Sequence, residues 1–195
     1  MNDFDILRNL LKSDRSVRRY DESRRISRDH LIELLDLTRF CASGRNLQPL
    51  KYRIVNDPDE CDRVFPLLAW AGYLQDWDGP SEGERPTAYL VQCLDTRLTK
   101  NCLCDDGLQL QAITLGTTAM GMGGCIVKSF NMALIRKELS LPEWAHPMYV
   151  LALGYPKEEV RIEEADNGID ADIKYFRTAD GVHHVPKRPL ADLLI

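Results

Sequence analysis

The run from Gly107 to Val127 carries no charged residue, and that limits what the chain can be. A bilayer span needs about 20 predominantly apolar residues. This run contains Gln109, Gln111, three threonines and five glycines, so it is too polar and too broken for that role. The pattern predicts a helix from Asp105 to about Met120, enclosed by protein on all sides. At 195 residues the chain suffices for one sizeable α/β domain and not comfortably for two. Residues 1–195 are therefore expected to form a single domain.

Apolar spacing predicts the remaining elements. Phe4, Leu7, Leu10 and Leu11 share a helical face. Ser27 can cap a helix carrying Leu31, Leu34 and Leu35, which ends in a loop from Cys41 to Asn46. Tyr52 to Val55 reads as a strand closed by Asn56–Asp57–Pro58, and Asp59 to Leu74 as a helix. Gln75 to Arg85 is a loop, and Pro86 to Leu94 a buried strand with Ala88, Leu90 and Gln92 on one side. Asn131 to Leu139 is helical and Met148 to Leu153 extended. Helices between strands imply an α+β or α/β layered sheet. The tail from Tyr155 is acidic and poor in strand signals at first, yet it later offers Phe176, Val182, Val185, Leu190 and Leu193 to Ile195. Such content must dock, and a second subunit is the economical place.

A net charge of −5 argues against nucleic-acid or anionic-membrane partners, so any anion site must come from local clustering. The N-terminus has no secretory core. The six cysteines match no disulfide or zinc framework and are expected as free thiols of a cytoplasmic protein. The four histidines form no paired metal motif, and no nucleophile elbow is present. No metal is expected, and His183 and His184 read as structural.

Four constellations could carry chemistry. Arg15, Ser16 and Arg18 can place two guanidinium forks and a hydroxyl around one phosphate, or form a solvated basic face. Ser43, Asn46 and Gln48 offer donors and acceptors together, as the edge of a heterocycle demands. Pro49 should hold Gln48 extended; ordinary turn chemistry is the alternative. Gly121–Met122–Gly123–Gly124 follows a helix rather than preceding one, which rules out a dinucleotide fingerprint. It either ends the helix or lets backbone approach a flat ligand. Pro186 and Pro189 stiffen the cations Lys187 and Arg188 between them.

In order along the chain, RSVRRY, ASGRNLQPLKYRIV, GMGGCIVKSFN, LALGYP and GVHHVPKRPL resemble the motifs of the nitroreductase family of FMN-dependent oxidoreductases. The resemblance implies an α+β fold, three-layer α/β/α-like, with a mixed and mainly antiparallel central sheet flanked by helices. It also implies a domain-swapped homodimer in which residues 155–195 embrace the partner and FMN sits between subunits. It assigns Arg15, Ser16, Arg18, Lys187 and Arg188 to the FMN phosphate. Ser43, Asn46 and Gln48 would reach the flavin from the other subunit, and Gly123 and Gly124 would line the ring. Arg45 stands where many members have glycine and could approach the cofactor; Asp14 stands where many have a further arginine.

The reaction that this resemblance implies is hydride transfer from NAD(P)H to FMN, then reduction of a small organic acceptor by a ping-pong mechanism. It needs no conspicuous catalytic side chain. Trp70, Tyr73 and Trp77 could border a flat substrate or simply pack. The rival readings are a specialised flavin reaction such as reductive dehalogenation, and a non-catalytic flavin-binding homodimer.

Overall fold

The computed structural model describes residues 2–195. Helix α1 (Asp3–Ser13) starts at Asn2, whose side chain accepts from the Asp5 N–H. Helix α2 (Arg28–Asp36) starts at the expected Ser27 cap. Strand β1 (Leu50–Val55) follows a loop, and α3 (Pro58–Val64) is capped by Asp57 with Pro58 in its first turn. The expected helix to Leu74 does not form. Pro66 lacks the N–H an α-helix needs, so Phe65–Leu67 tightens to a 3-10 turn, and Ala71 takes a φ of 37°.

Strand β2 (Ala88–Asp95), α4 (Asp105–Ala119), β3 (Gly123–Val127), α5 (Met132–Glu138) and β4 (Ala145–Gly154) complete the central part. The sheet order is β1-β2-β4-β3 and every pairing is antiparallel. Every β2 residue is buried, because both sheet faces are covered. On one face Tyr89, Val91 and Cys93 pack with Cys61 and Val64 of α3 and Ile135 of α5. On the other, Ala88 and Leu90 pack with Leu31 and Leu34 of α2 and Leu110 and Ile113 of α4. This alternation puts helices on both sides of the sheet, giving the expected three layers. Buried Gln92, on the α4 face, donates to the Tyr52 hydroxyl, which in turn donates to Gln109.

In a single chain α4 is not enclosed on all sides. Gln109, Leu110, Ile113, Thr114 and Thr117 are buried. Ala112, Leu115, Gly116 and Ala119 instead line an apolar hollow of about 400 Å³ with Leu10, Leu37, Phe40 and Cys41. α1 buries none of its residues, and Phe4 and Phe40 are largely exposed.

The first half of the tail, which reads as poor in strand signals, is the part that departs from expectation. That acidic half forms β5 (Val160–Glu164), and β6 (Phe176–Arg177) and β7 (His183–Lys187) follow in a sheet of order β5-β7-β6. As far as Lys187 this unit docks on its own chain. The Lys157 N–H donates to the Arg19 carbonyl and the Asp21 N–H to the Tyr155 carbonyl. Buried Glu158 accepts from the Arg18 and Arg19 backbone N–H groups and from the Arg177 guanidinium. Leu190, Leu193, Leu194 and Ile195 stay exposed. Among the described residues, no helix is long and apolar enough to cross a membrane.

Candidate functional site

The segment after α1 runs alongside β3. Ser16 bridges Gly124, and the Val17 N–H donates to the Gly124 carbonyl at 3.0 Å. Tyr20 is fully buried and donates its hydroxyl to the Val17 carbonyl, which locks the segment's path. The close approach requires a bare backbone at Gly123, where a Cβ would meet Val17 Cγ2 at 2.8 Å. Gly121, with φ 71°, makes the turn that brings the chain from α4 into β3.

This arrangement opens a cavity of about 340 Å³. Arg15, Ser16 and Arg18 line it from the N-terminal side, Gln111 and Thr114 from α4, and Gly124 and Ile126 from β3; Tyr175, His183, Val185 and Lys187 come from the tail. The early and terminal basic clusters therefore converge within one chain. Arg15 hands one guanidinium N–H to the Leu11 carbonyl at 2.9 Å, and its Nε is buried without a partner among the described residues. Arg18 lies 5.0 Å from the Tyr175 ring centroid and 3.2 Å from His183 Nε2. One carboxylate faces the same cavity. Asp14 accepts from Gln111 Nε2 at 2.6 Å and from Thr114 Oγ1 at 2.7 Å, so it cannot swing away. Three cations against one carboxylate leave the cavity positive.

A second hollow of about 320 Å³ follows the same sheet edge past Arg18, Ile126 and Lys128 to Ala69–Gly72. The β3 edge is covered by Val17 at one end and near Ala69 at the other, where the Ala69 N–H meets the Ser129 carbonyl. Strand alternation turns the Ile126 N–H and C=O to the same edge as those of Gly124. Arginine forks, a lysine and a serine hydroxyl at one end suit a phosphate monoester, and a backbone-lined groove beyond them suits a flat ring. The residues present fit FMN. Burial pushes the Cys125 thiol beside this groove upward, so it stays protonated and inert.

Other expected site residues lie elsewhere. Gly123 is consumed in packing. Arg188 turns away from the cavity, donating to the Gly168 carbonyl and pairing with Asp192. Ser43, Arg45, Asn46 and Gln48 sit at the start of α4. There Asp105, only 1% exposed, accepts from the Ser43 hydroxyl at 2.6 Å and the Gly44 N–H at 2.9 Å. The Ser43 oxygen also accepts from the Gln48 N–H. Gln48 is not extended: its φ is 48°, and Arg45 and Asn46 stand at 54° and 56°. Three exposed non-glycine residues in the left-handed region within four positions are costly. Trp70 is buried in the core, Trp77 packs under Arg177, and Tyr73 meets Tyr175 with the two rings tilted at 51°.

Sequence reasoning missed Asp105, Glu158, Tyr175 and the pocket role of His183. A pair of acids, Asp105 and Asp106, opening an otherwise uncharged helix was the available signal for Asp105. The other three depend on how the tail folds back.

The family model described as "Nitroreductase family" matches residues 11–77 and 104–155. A protein of Archaeoglobus fulgidus named for NADH dehydrogenase and NAD(P)H nitroreductase activity is 25% identical over 171 residues, covering 84% of this chain and 92% of that protein. A crystal structure from Parabacteroides distasonis, named for the same activities, superposes with a TM-score of 0.63 at 22% identity, covering 88% of this chain and 96% of that one. The NADPH:FMN oxidoreductase of Vibrio harveyi, solved with NAD+, gives 0.60 at 20% identity, covering 76% and 68%. At these identities the structural likeness bears on the fold.

Proposed function

The chain belongs to the nitroreductase family of oxidoreductases, and on that premise we propose that it binds FMN and uses NAD(P)H to reduce a small organic acceptor by a ping-pong mechanism. The observation that carries this reading is the convergence of Arg15, Ser16, Arg18 and Lys187 on one cavity that opens into a groove along β3. Arg15, Arg18 and Lys187 hold the phosphate, and the Ser16 hydroxyl adds a donor. The Gly124 and Ile126 backbone lines the ring and offers hydrogen bonds to its polar edge. When bound, FMN would supply two-electron redox chemistry between NAD(P)H and a nitroaromatic, quinone or similar acceptor. Fixed cations and amide donors favour negative charge on the ring without reorganising.

The protein works as a homodimer in this reading. The hollow between α1, Phe40 and α4 gathers contiguous apolar residues, Leu10, Leu37, Phe40 and Leu115 among them, as an interface does. Residues 43–48 and the exposed Leu190–Ile195 are then available to the partner. Six unpaired cysteines suit a reducing, cytoplasmic setting.

The test is an absorbance spectrum of purified protein before and after NADPH is added without oxygen. A flavin band that bleaches supports the reading. A colourless protein that takes up no added FMN removes it, and a yellow one that NAD(P)H cannot bleach leaves only flavin binding. Parallel double-reciprocal lines with NAD(P)H and acceptor check the ping-pong order.

A further inference from the structure

We propose that His183 is a positioning residue for the phosphate end of the site, acting through Arg18 as a neutral imidazole of one fixed tautomer. This role rests on the FMN reading and gives a task to a residue that the motif pattern leaves idle.

Chemistry restricts what the two side chains can exchange. Arg18 Nη1 lies 3.2 Å from His183 Nε2. A guanidinium only donates, so Nε2 must accept, and the ring proton must sit on Nδ1. His183 is 1% exposed and its Nδ1 has no partner among the described residues. A buried donor without an acceptor is destabilising. The fold therefore bears a cost at this position, and what it retains is the bond to Arg18.

The geometry makes that bond useful. Tyr175 lies 5.3 Å from the imidazole, ring centre to ring centre, and 5.0 Å from the guanidinium. The Ser16 carbonyl is a further, long contact of Arg18 Nη1 at 3.4 Å. His183 and Tyr175 thus restrict where the Arg18 fork points, and both line the cavity it serves. Burial first, and then Arg18, Arg177 and His184, oppose a charge on His183, so it stays an acceptor while Arg18 stays cationic. A mobile arginine gives up rotamer freedom when it grips a phosphate; a fork already held gives up less.

The experiment is flavin binding followed by fluorescence quenching, with FMN and riboflavin as the two probes. They differ only in the phosphate. In His183→Leu, FMN affinity should fall on the order of tenfold, with riboflavin affinity unchanged. His183→Gln, whose amide oxygen can accept from Arg18, should restore most of the loss. In an Arg18→Ala background, His183→Leu should cost nothing more, because the group it acts through is gone. Equal weakening of both flavins, no rescue by glutamine, or an undiminished loss in the Arg18→Ala background would each overturn the assignment. If the leucine variant does not fold, the nitrogen NMR spectrum of the unaltered protein decides instead. An Nδ1–H imidazole is required, and an Nε2–H form refutes the proposal. A wild-type protein that binds riboflavin as well as FMN overturns the phosphate reading along with this one. A wild-type preference for FMN that His183→Leu retains removes His183 alone.

Discussion

The cationic cavity beside β3 and the loop of residues 43–48 both contact α4, and they are built in opposite ways. The cavity draws on four stretches of one chain, has buried Asp14, Thr114 and His183 in its wall, and keeps Arg18 between Tyr175 and His183. The loop is exposed beyond Gly44 and hangs on the buried Asp105 carboxylate. It holds three exposed residues at positive φ, and the Gln48 side chain donates to Asn46 within the same loop. Asp105 and Thr114 are separated by about 13 Å along the helix. In the proposed reading, one chain completes the phosphate end of the site and presents residues 43–48 elsewhere. The contrast teaches that the cavity is a property of the monomer. The loop's positive φ values and the open apolar face of α4 are the features that the proposed second subunit would cover.

The largest test of this contrast is to prevent association. Leu115→Asp puts a charge into the apolar hollow on α4, where an unpaired carboxylate is costly to bury. We expect a monomer by analytical ultracentrifugation that has lost FMN retention but still melts cooperatively. A variant that stays dimeric would show that another face is used.

A second effect comes from His183. Burial first, and then the nearby Arg18, Arg177 and His184, lowers its pKa from 6.5 to about 4. The unfolded chain therefore binds a proton more readily than the folded one between those values. The stability contribution is complete above pH 6.5 and is lost as pH falls toward about 4, to a total of roughly 3 kcal/mol. Urea unfolding across that window should show the fall in wild-type protein and a flatter profile in His183→Leu. Equal slopes would break the picture of a rigid, buried cavity wall.

Arg18→Ala should weaken FMN by roughly 2 kcal/mol through loss of a charge-assisted contact, while riboflavin binding holds; titration calorimetry separates the two. The smallest change is Asp105→Asn, which keeps the shape of the loop's anchor but weakens its bonds to Ser43 and Gly44. A cost of about 1 kcal/mol in thermal stability is expected, together with weaker flavin binding in the dimer. If stability falls and flavin affinity does not, the loop has no part in the site.

Much of this was legible in the residues. The Ser27 cap placed the start of α2, because it acts on a backbone group three residues away, and apolar spacing placed α1. Motif order pointed to the family, and RSVRRY with Lys187 pointed to the phosphate end. Arg188 shared the motif but not the geometry. On β7 neighbouring side chains leave on opposite faces, and Arg188, just past its end, turned to Gly168 and Asp192. The helix expected to reach Leu74 stopped early because Pro66 acts locally in a way that apolar spacing alone does not register.

By itself the sequence determined the layered α/β class, the caps, the positive cluster and the family, since each depends on chemistry within a few residues or on motif order. Only the tertiary structure decided that the tail folds back so that Glu158 holds the Arg18–Arg19 backbone and His183 meets Arg18. It alone set the 43–48 loop at a different height on α4 from the cavity. Those contacts join residues more than a hundred positions apart, and their energy depends on burial and direction, which exist only once the chain has closed on itself.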